Sequence, residues 1–326
     1  MKAILCTAHG PIENLALTDV PPPQPGPGEV LIDVTCVGLN FFDTLIIQNK
    51  YQVKPALPFS IGGEFAGRVA GLGQGVKGLT IGQRVAGYCS YGAAAEQIAV
   101  PATSVSPIPE GLSDEKAAGL NITYGTSLHA LKQRARIQPG ETLAVLGASG
   151  GVGLAAVEIG AILGAHVIAC TSSEEKIAFA KSFGAHEGLD YSKRPLKETL
   201  KDMTHGRGVD VIYDPVGADL AEPALRALAW KGRFLVVGFA GGDIPKIPLN
   251  LTLLKGCDVL GVFWSDFVRR EPEAHQDNMR DLFDWAASGK LSAHVHNVFE
   301  AHDFAEALNV IKKREAQGKV VLRMRD

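Results

Sequence analysis

The chain has 326 residues, 46% of them apolar and 21% charged, with a formal net charge of −3. That length and apolar content suit two domains with sizeable cores, and the slight acidic balance gives no electrostatic footprint for nucleic acid. Five scattered cysteines without a Cys-x-x-Cys pair point to a reducing compartment and away from a disulfide framework or zinc knuckle.

In chain order, Met1 to Cys6 is too short an apolar run for a signal peptide. Pro21 to Gly28, Pro-Pro-Pro-Gln-Pro-Gly-Pro-Gly, reads as a stiff extended connector. Val30 to Val37 alternates as a strand does, and Phe65 to Ala70 and Gln83 to Tyr88 are strand-like runs among recurring glycines. The first third is thus a β-rich module.

From about Ile122 the pattern becomes alternating strands and helices. Strands are predicted over Leu143 to Leu146, His166 to Cys170, Val209 to Asp214, Gly232 to Gly238 and Asp258 to Trp264. Helices are predicted over Ser173 to Phe183 and Asp219 to Trp230. Such alternation implies a parallel, doubly wound sheet. Helices over Pro272 to Ser288 and His302 to Lys313 and strands around His294 to Phe299 and Lys319 to Met324 complete the chain. The most apolar helical stretch, Gly151 to Cys170, contains Glu158, His166 and several glycines, so no membrane span is expected. A cytoplasmic location is the expectation.

The run Leu143 to Gly153, Leu-Ala-Val-Leu-Gly-Ala-Ser-Gly-Gly-Val-Gly, joins a strand to a helix through a glycine turn. In a Rossmann unit this arrangement turns backbone N–H groups toward a pyrophosphate, where side chains would block the approach. Ala148, Ser149, Gly150, Gly151 and Val152 are the predicted contacts. An acidic residue some twenty positions further on grips the ribose of NADH; counting from Gly153 instead reaches the neutral Ser172, with Lys176 one turn beyond. A hydroxyl and an ammonium suit the 2′-phosphate of NADPH. Ser173 as a helix cap and Lys176 as a solvated surface residue is the other reading, and Glu174 and Glu175 keep NADH open.

Several motifs together resemble one family. They are Gly38-Leu39-Asn40-Phe41-Phe42-Asp43, Ile61-Gly62-Gly63-Glu64-Phe65-Ala66-Gly67, Thr123-Tyr124-Gly125-Thr126, the glycine turn, Asp214-Pro215-Val216-Gly217, Val236-Val237-Gly238-Phe239 and Gly318-Lys319-Val320-Val321-Leu322. Over nearly its whole length the chain resembles the zinc-free quinone oxidoreductase and zeta-crystallin branch of the medium-chain dehydrogenase/reductases. The resemblance implies an α/β protein with a GroES-like β-rich substrate domain (residues 1–122 and 266–326). A Rossmann cofactor domain (residues 123–265) interrupts it in sequence, with a cofactor cleft between the two. It places Asn40 and Asp43 by the nicotinamide and Tyr51 in the substrate pocket. Asp43 holding loop N–H groups and Tyr51 as packing are the alternatives. It further implies that Tyr191 assists at the phosphate. Val216 and Gly217 lie along the cofactor, and Thr126, Gly238, Phe239, Phe263, Trp264 and Ser265 flank its nicotinamide half.

Alcohol dehydrogenases of the wider family carry a zinc-binding cysteine near Asn40 and a zinc-binding histidine where Gly63 stands, so no metal is expected here. Reduction of a simple ketone leaves an alkoxide that zinc stabilises, whereas a quinone or α,β-unsaturated carbonyl spreads the charge by conjugation. The resemblance therefore implies NADPH-dependent reduction of quinones or enones, with a small-molecule substrate and no nucleic acid or membrane partner. An enoyl-thioester reductase, using Arg269 and Arg270 for coenzyme phosphates, and a non-catalytic NADPH-binding structural or RNA-binding protein are the alternatives. The apolar edge Val259 to Phe263 predicts a homodimer.

Overall fold

Alternation of period two in one part of the chain and strand–helix repeats in another lead to two separately packed units. The computed structural model describes residues 1–325. One unit holds Met1–Thr123, Asp281–Gly289 and the chain from Ala293 onward; the other holds Tyr124–Arg280 and Lys290–Ser292.

The spine of the first unit is the strand Glu29–Leu39, whose Val30, Ile32 and Val34 are fully buried. Its length lets it serve two partners on one edge. Gln97–Pro101 pairs with its first half and the C-terminal strand Lys319–Arg323 with its second. Glu64–Leu72 pairs along the other edge, with register shifts near Leu31 and Val34. The sheet runs in the order Val295–Glu300, Lys319–Arg323, Glu29–Leu39, Glu64–Leu72, Arg84–Tyr88, Val105–Pro107. Pro21 to Gly26 has no regular structure, as a proline connector should. After the spine, the short helix Phe41–Ile46 starts at Asn40.

In the second unit six parallel strands lie in the order third, second, first, fourth, fifth, sixth along the chain, the doubly wound arrangement. The first strand, Thr142–Leu146, is buried at every position, because helices cover both faces of such a sheet. The helix Gly151–Ile162 that follows is buried from Gly153 through Gly160. Ligands of these sheets bind at the carboxyl ends of the strands, where the order reverses. Here the reversal falls between Thr142–Leu146 and Val209–Asp214.

Some expectations are corrected. The helix expected over Asp219 to Trp230 ends at Ala227, and the fifth strand already begins at Leu228. Its pairing skips from Leu228 to Arg233, and Trp230 and Lys231 bulge outward, the latter at φ 61°. The apolar run through Ala227 keeps helical spacing, which hid the change. The sixth strand stops at Gly261, whose carbonyl accepts from Arg134 Nε at 2.9 Å, and a helix begins at Trp264. The strand Glu187–Asp190 and the helices Leu196–Met203 and Asn250–Lys255 escaped the reading. The second unit also extends past residue 265 to Arg280. The reason is packing: Phe267 stacks on His129 with centroids 3.8 Å apart, and Gln133 and Asn278 exchange amide hydrogen bonds of 2.9 and 3.1 Å.

Candidate functional site

Three glycines of the turn answer to different constraints. Gly147 has φ 61°, a left-handed conformation that side chains disfavour. Gly153 is fixed by packing, since a Cβ there would stand 2.2 Å from the Gly147 carbonyl oxygen. Gly150 is different. Its φ of −78° suits any residue, and a Cβ would meet only the Gly147 oxygen, at an ordinary 3.6 Å. The fold itself does not demand glycine there, and the space before it is open. Gly150 caps the helix Gly151–Ile162 without a side-chain hydrogen bond, so the first-turn N–H groups of Gly151, Val152 and Gly153 have no intrahelical acceptor. The residues fit a dinucleotide pyrophosphate.

Other predicted cofactor residues gather around this turn. Val216 lies against Gly147. The Asp214 carboxylate accepts from the N–H groups of Val216 and Gly217, both at 2.8 Å, and holds that loop closed; burial raises its pKa against this pull. Phe239 covers Gly217, and the carbonyls of Pro215 and Val216 accept from Ala240 and Gly241. Thr126 follows Gly125, and its neighbour Ser127 donates to the Val152 carbonyl at 3.0 Å. Trp264 is buried against Gly125 and lies edge-on to His275. Phe263 and Ser265 are exposed. At the end of the second strand, Ser172 is exposed and its carbonyl accepts from Ser192. Tyr191 N–H bonds the Thr171 carbonyl, and Ser173 Oγ accepts from Lys176 N–H at 3.3 Å. Ser172, Lys176 and Tyr191 therefore share one strand end, and Ser173 is the helix cap. The pair Arg269 and Arg270 both fold onto Asp266.

The first unit presents a different chemistry. Asn40 is buried and its amide is completely addressed. Its Nδ2 donates to Glu64 Oε1 at 2.9 Å and to the Gly38 carbonyl at 3.2 Å, and its Oδ1 accepts from Lys319 Nζ at 2.9 Å. Lys319 Nζ also donates to Glu64 Oε1 at 2.7 Å and to the Leu39 carbonyl at 2.9 Å, which uses all three of its protons. The second Glu64 oxygen accepts from Ile122 N–H at 2.8 Å. The Lys319–Glu64 pair is among the least exposed of the chain's ion pairs, with side chains 3% and 0% accessible.

Asp43 is fully buried one turn along. One oxygen accepts from Asn40 N–H at 2.8 Å, the other from Gly62 N–H at 3.0 Å. Burial pushes its carboxyl up to about 7, against the pull of those two donors and of Lys319. In this geometry Asp43 holds the loops that carry Asn40 and Gly62. Tyr51 is half-buried and stacks on Phe42 with centroids 5.2 Å apart. Burial raises its pKa further, so at neutral pH it remains a phenol able to donate. Among the described residues its hydroxyl has no hydrogen-bond partner.

These residues do not fit a catalytic zinc. The Asn40 amide is consumed by its neighbours. A Cβ on Gly63 would stand 2.5 Å from Phe42 Cζ, so the aromatic ring occupies the room a ligating side chain needs. The Cys89 thiol is pushed up to about 12 by burial, which disfavours the thiolate a metal requires. No group of three or more metal-ligating side chains occurs among the described residues.

Glu64 and Lys319 are the site residues that sequence reasoning missed. Each is a lone charge in an otherwise apolar or glycine-rich run, and such charges are buried only when paired. Their opposite signs were the available signal, but 255 residues separate them.

Comparison with known proteins agrees with this anatomy. Residues 26–110 match the alcohol dehydrogenase GroES-like domain, and residues 151–288 match the zinc-binding dehydrogenase family. Quinone oxidoreductase-like protein 2 of Rattus norvegicus is 37% identical across 99% of this chain and 92% of its own length. The 2-haloacrylate reductase of a Burkholderia species is 30% identical across 99% and 98%. The crystal structure of Escherichia coli quinone oxidoreductase complexed with NADPH superposes with a TM-score of 0.93 at 28% identity, covering 99% of this chain and 100% of that one. A GroES-like unit and a doubly wound unit define a medium-chain dehydrogenase/reductase. Within that class the chain belongs to the quinone oxidoreductase and zeta-crystallin branch, a group of oxidoreductases.

Proposed function

We propose that the protein is an NADPH-dependent reductase that delivers hydride to quinones or α,β-unsaturated carbonyl compounds without a metal. The observation that carries the cofactor half is the open space before Gly150, which the fold does not require to be glycine. The Escherichia coli relative was solved with NADPH. The acceptor half rests on the amide of Asn40 and the filled position beside Gly63, which leave no ligand set for a Lewis acid. The Burkholderia relative is named for 2-haloacrylate, an alkene conjugated to a carboxylate.

When bound, NADPH would supply the hydride. The chain's residues do the rest. The N–H groups of Gly151 to Gly153 hold the pyrophosphate, and Ser172, Lys176 and Tyr191 hold the 2′-phosphate. Thr126, Gly238 and Phe239 flank the nicotinamide half, with Phe263 and Ser265 beside them. Asn40 orients the reacting groups, Asp43 positions Asn40, and Tyr51 donates a hydrogen bond to the acceptor oxygen as negative charge builds on it. A proton from Tyr51 or water then completes the reduction. Because Arg269 and Arg270 are engaged by Asp266, the coenzyme-phosphate patch of an enoyl-thioester reductase finds less support.

Loss of reduced-nicotinamide absorbance, followed against a panel of quinones, enones and simple alcohols, tests the reading. Turnover is expected with the conjugated acceptors and not with alcohols. Tyr51→Phe should lower kcat and leave NADPH affinity almost unchanged. Rapid alcohol oxidation would reject the reaction class, and tight NADPH binding with no turnover across the panel would favour a non-catalytic role.

The proposal extends to assembly as a homodimer. The sixth strand, Asp258–Gly261, is the sheet edge, and Val259 and Phe263 are 47% and 55% exposed. Leu253 and Leu254 of the preceding helix add 79% and 69% exposed side chains, although Val262 is buried. Apolar edges of this kind pair with a second copy. A monomer by light scattering at micromolar concentration would count against it.

A further inference from the structure

We infer that Lys319 and Glu64 are positioning residues that lock the Asn40 amide in one orientation and keep its protons from any bound acceptor. The inference deepens the reductase reading above and rests on it for the identity of the reaction.

The orientation follows from donor and acceptor types alone. An ammonium only donates, so the Asn40 atom 2.9 Å from Lys319 Nζ must be oxygen. An ionised carboxylate only accepts, so the Asn40 atom 2.9 Å from Glu64 Oε1 must be nitrogen. A flipped amide would set oxygen against carboxylate and nitrogen against ammonium at once. Both Nδ2 protons are committed, to Glu64 and to the Gly38 carbonyl. Oδ1 takes the Lys319 ammonium on one side and faces Asp43 N–H on the other, where the two residues form a capping box at the start of the helix Phe41–Ile46. Asn40 therefore has no amide proton left to offer an acceptor. It does not stabilise an anionic oxygen, and that task falls to Tyr51 or to water. Lys319 contributes through Asn40, since each of its protons is already used. Its stem runs over Gly119, where a Cβ would stand 2.9 Å from Lys319 Cγ, so the ammonium is held in place from behind.

The test is a cycle on the whole enzyme. E64Q/K319M removes both charges together and avoids a stranded carboxylate. Its melting temperature is expected to stay within about 4 °C of wild type. Its kcat for quinone or enone reduction should fall roughly 10- to 100-fold, the penalty of a misplaced group. NADPH affinity, set mainly at the glycine turn, should change by less than about threefold. In the N40A background the same two substitutions should lower kcat no further, because their effect passes through Asn40. Wild-type kcat in E64Q/K319M, or a full multiplicative loss on top of N40A, overturns the inference. Should E64Q/K319M not fold, the wild-type protein still decides. Both Asn40 side-chain amide protons should give distinct, slowly exchanging resonances, and fast exchange of the pair would refute the lock. If the wild-type enzyme turns over no conjugated acceptor, the functional reading fails while this resonance measurement stands.

Discussion

The glycine turn and the Asn40 cluster prepare for a ligand by opposite means. The turn is seven consecutive residues, Gly147 to Gly153, whose chemistry is backbone and whose useful property is missing side chains. The cluster draws Asn40, Asp43, Glu64, Ile122 and Lys319 from distant parts of the chain, and its chemistry is buried charge. A site of absent atoms tolerates the loss of most neighbours. A site of paired charges depends on every member, because removing one leaves another uncompensated.

That contrast sets the largest expected effect. Lys319→Met leaves the Glu64 carboxylate buried without a cation and should cost about 3–5 kcal/mol of stability, read by urea unfolding. Adding E64Q should recover much of the loss. No recovery would mean that packing, not charge, dominates at Lys319. In the turn, Gly153→Ala pushes a methyl into the Gly147 carbonyl and should cost about 1–3 kcal/mol as well as NADPH binding. Gly150→Ala is the sharper case, with unchanged stability but NADPH affinity reduced about tenfold or more. Equal stability losses at the two glycines would erase the distinction between a packing glycine and a ligand glycine.

Lys176→Ala should weaken NADPH by about 1.5–3 kcal/mol, a charge-assisted contact, while NADH binding stays put. Equal losses for both nucleotides would assign Lys176 to the surface instead. The smallest effect is a pH slope. The folded Asp43 pKa of about 7 lies above its unfolded value of about 4, so its contribution is full below pH 4 and fades as pH rises through 7. Read as a difference between wild type and Asp43→Asn, stability should decline over that window only in the wild type. A flat difference would show that the two N–H donors outweigh burial and keep the carboxylate charged.

The same contrast explains what could be read from the sequence. Gly147 to Gly153 announced itself because strand, turn and helix are contiguous and each glycine leaves a local trace. The strands Val209–Asp214 and Lys319–Arg323 were legible from apolar runs that few other elements can use. The bulge at Trp230 was not, since Ala224 to Ala229 keeps helical spacing and pairing with Val209–Asp214 decides otherwise. Asn40 and Asp43 could be located, but Asp43's role depended on Gly62 N–H, which lies 19 residues away. The Lys319–Glu64 contact is a property of tertiary pairing, so propensity and spacing carry no trace of it.

The position of Lys319 also bears on how the protein is made. The strand Lys319–Arg323 sits inside the sheet, between Val295–Glu300 and the spine Glu29–Leu39. On the ribosome, at about 5–20 residues per second, the 255 residues between them make Glu64 wait about 13–50 s for its counter-ion. During that interval the nascent GroES-like unit has a half-unpaired spine and an uncompensated carboxylate, and all six strands of the parallel sheet are synthesised within it. Completion of the first unit thus waits for Lys319, and a chain cut short before it forfeits an inner strand of that unit's sheet.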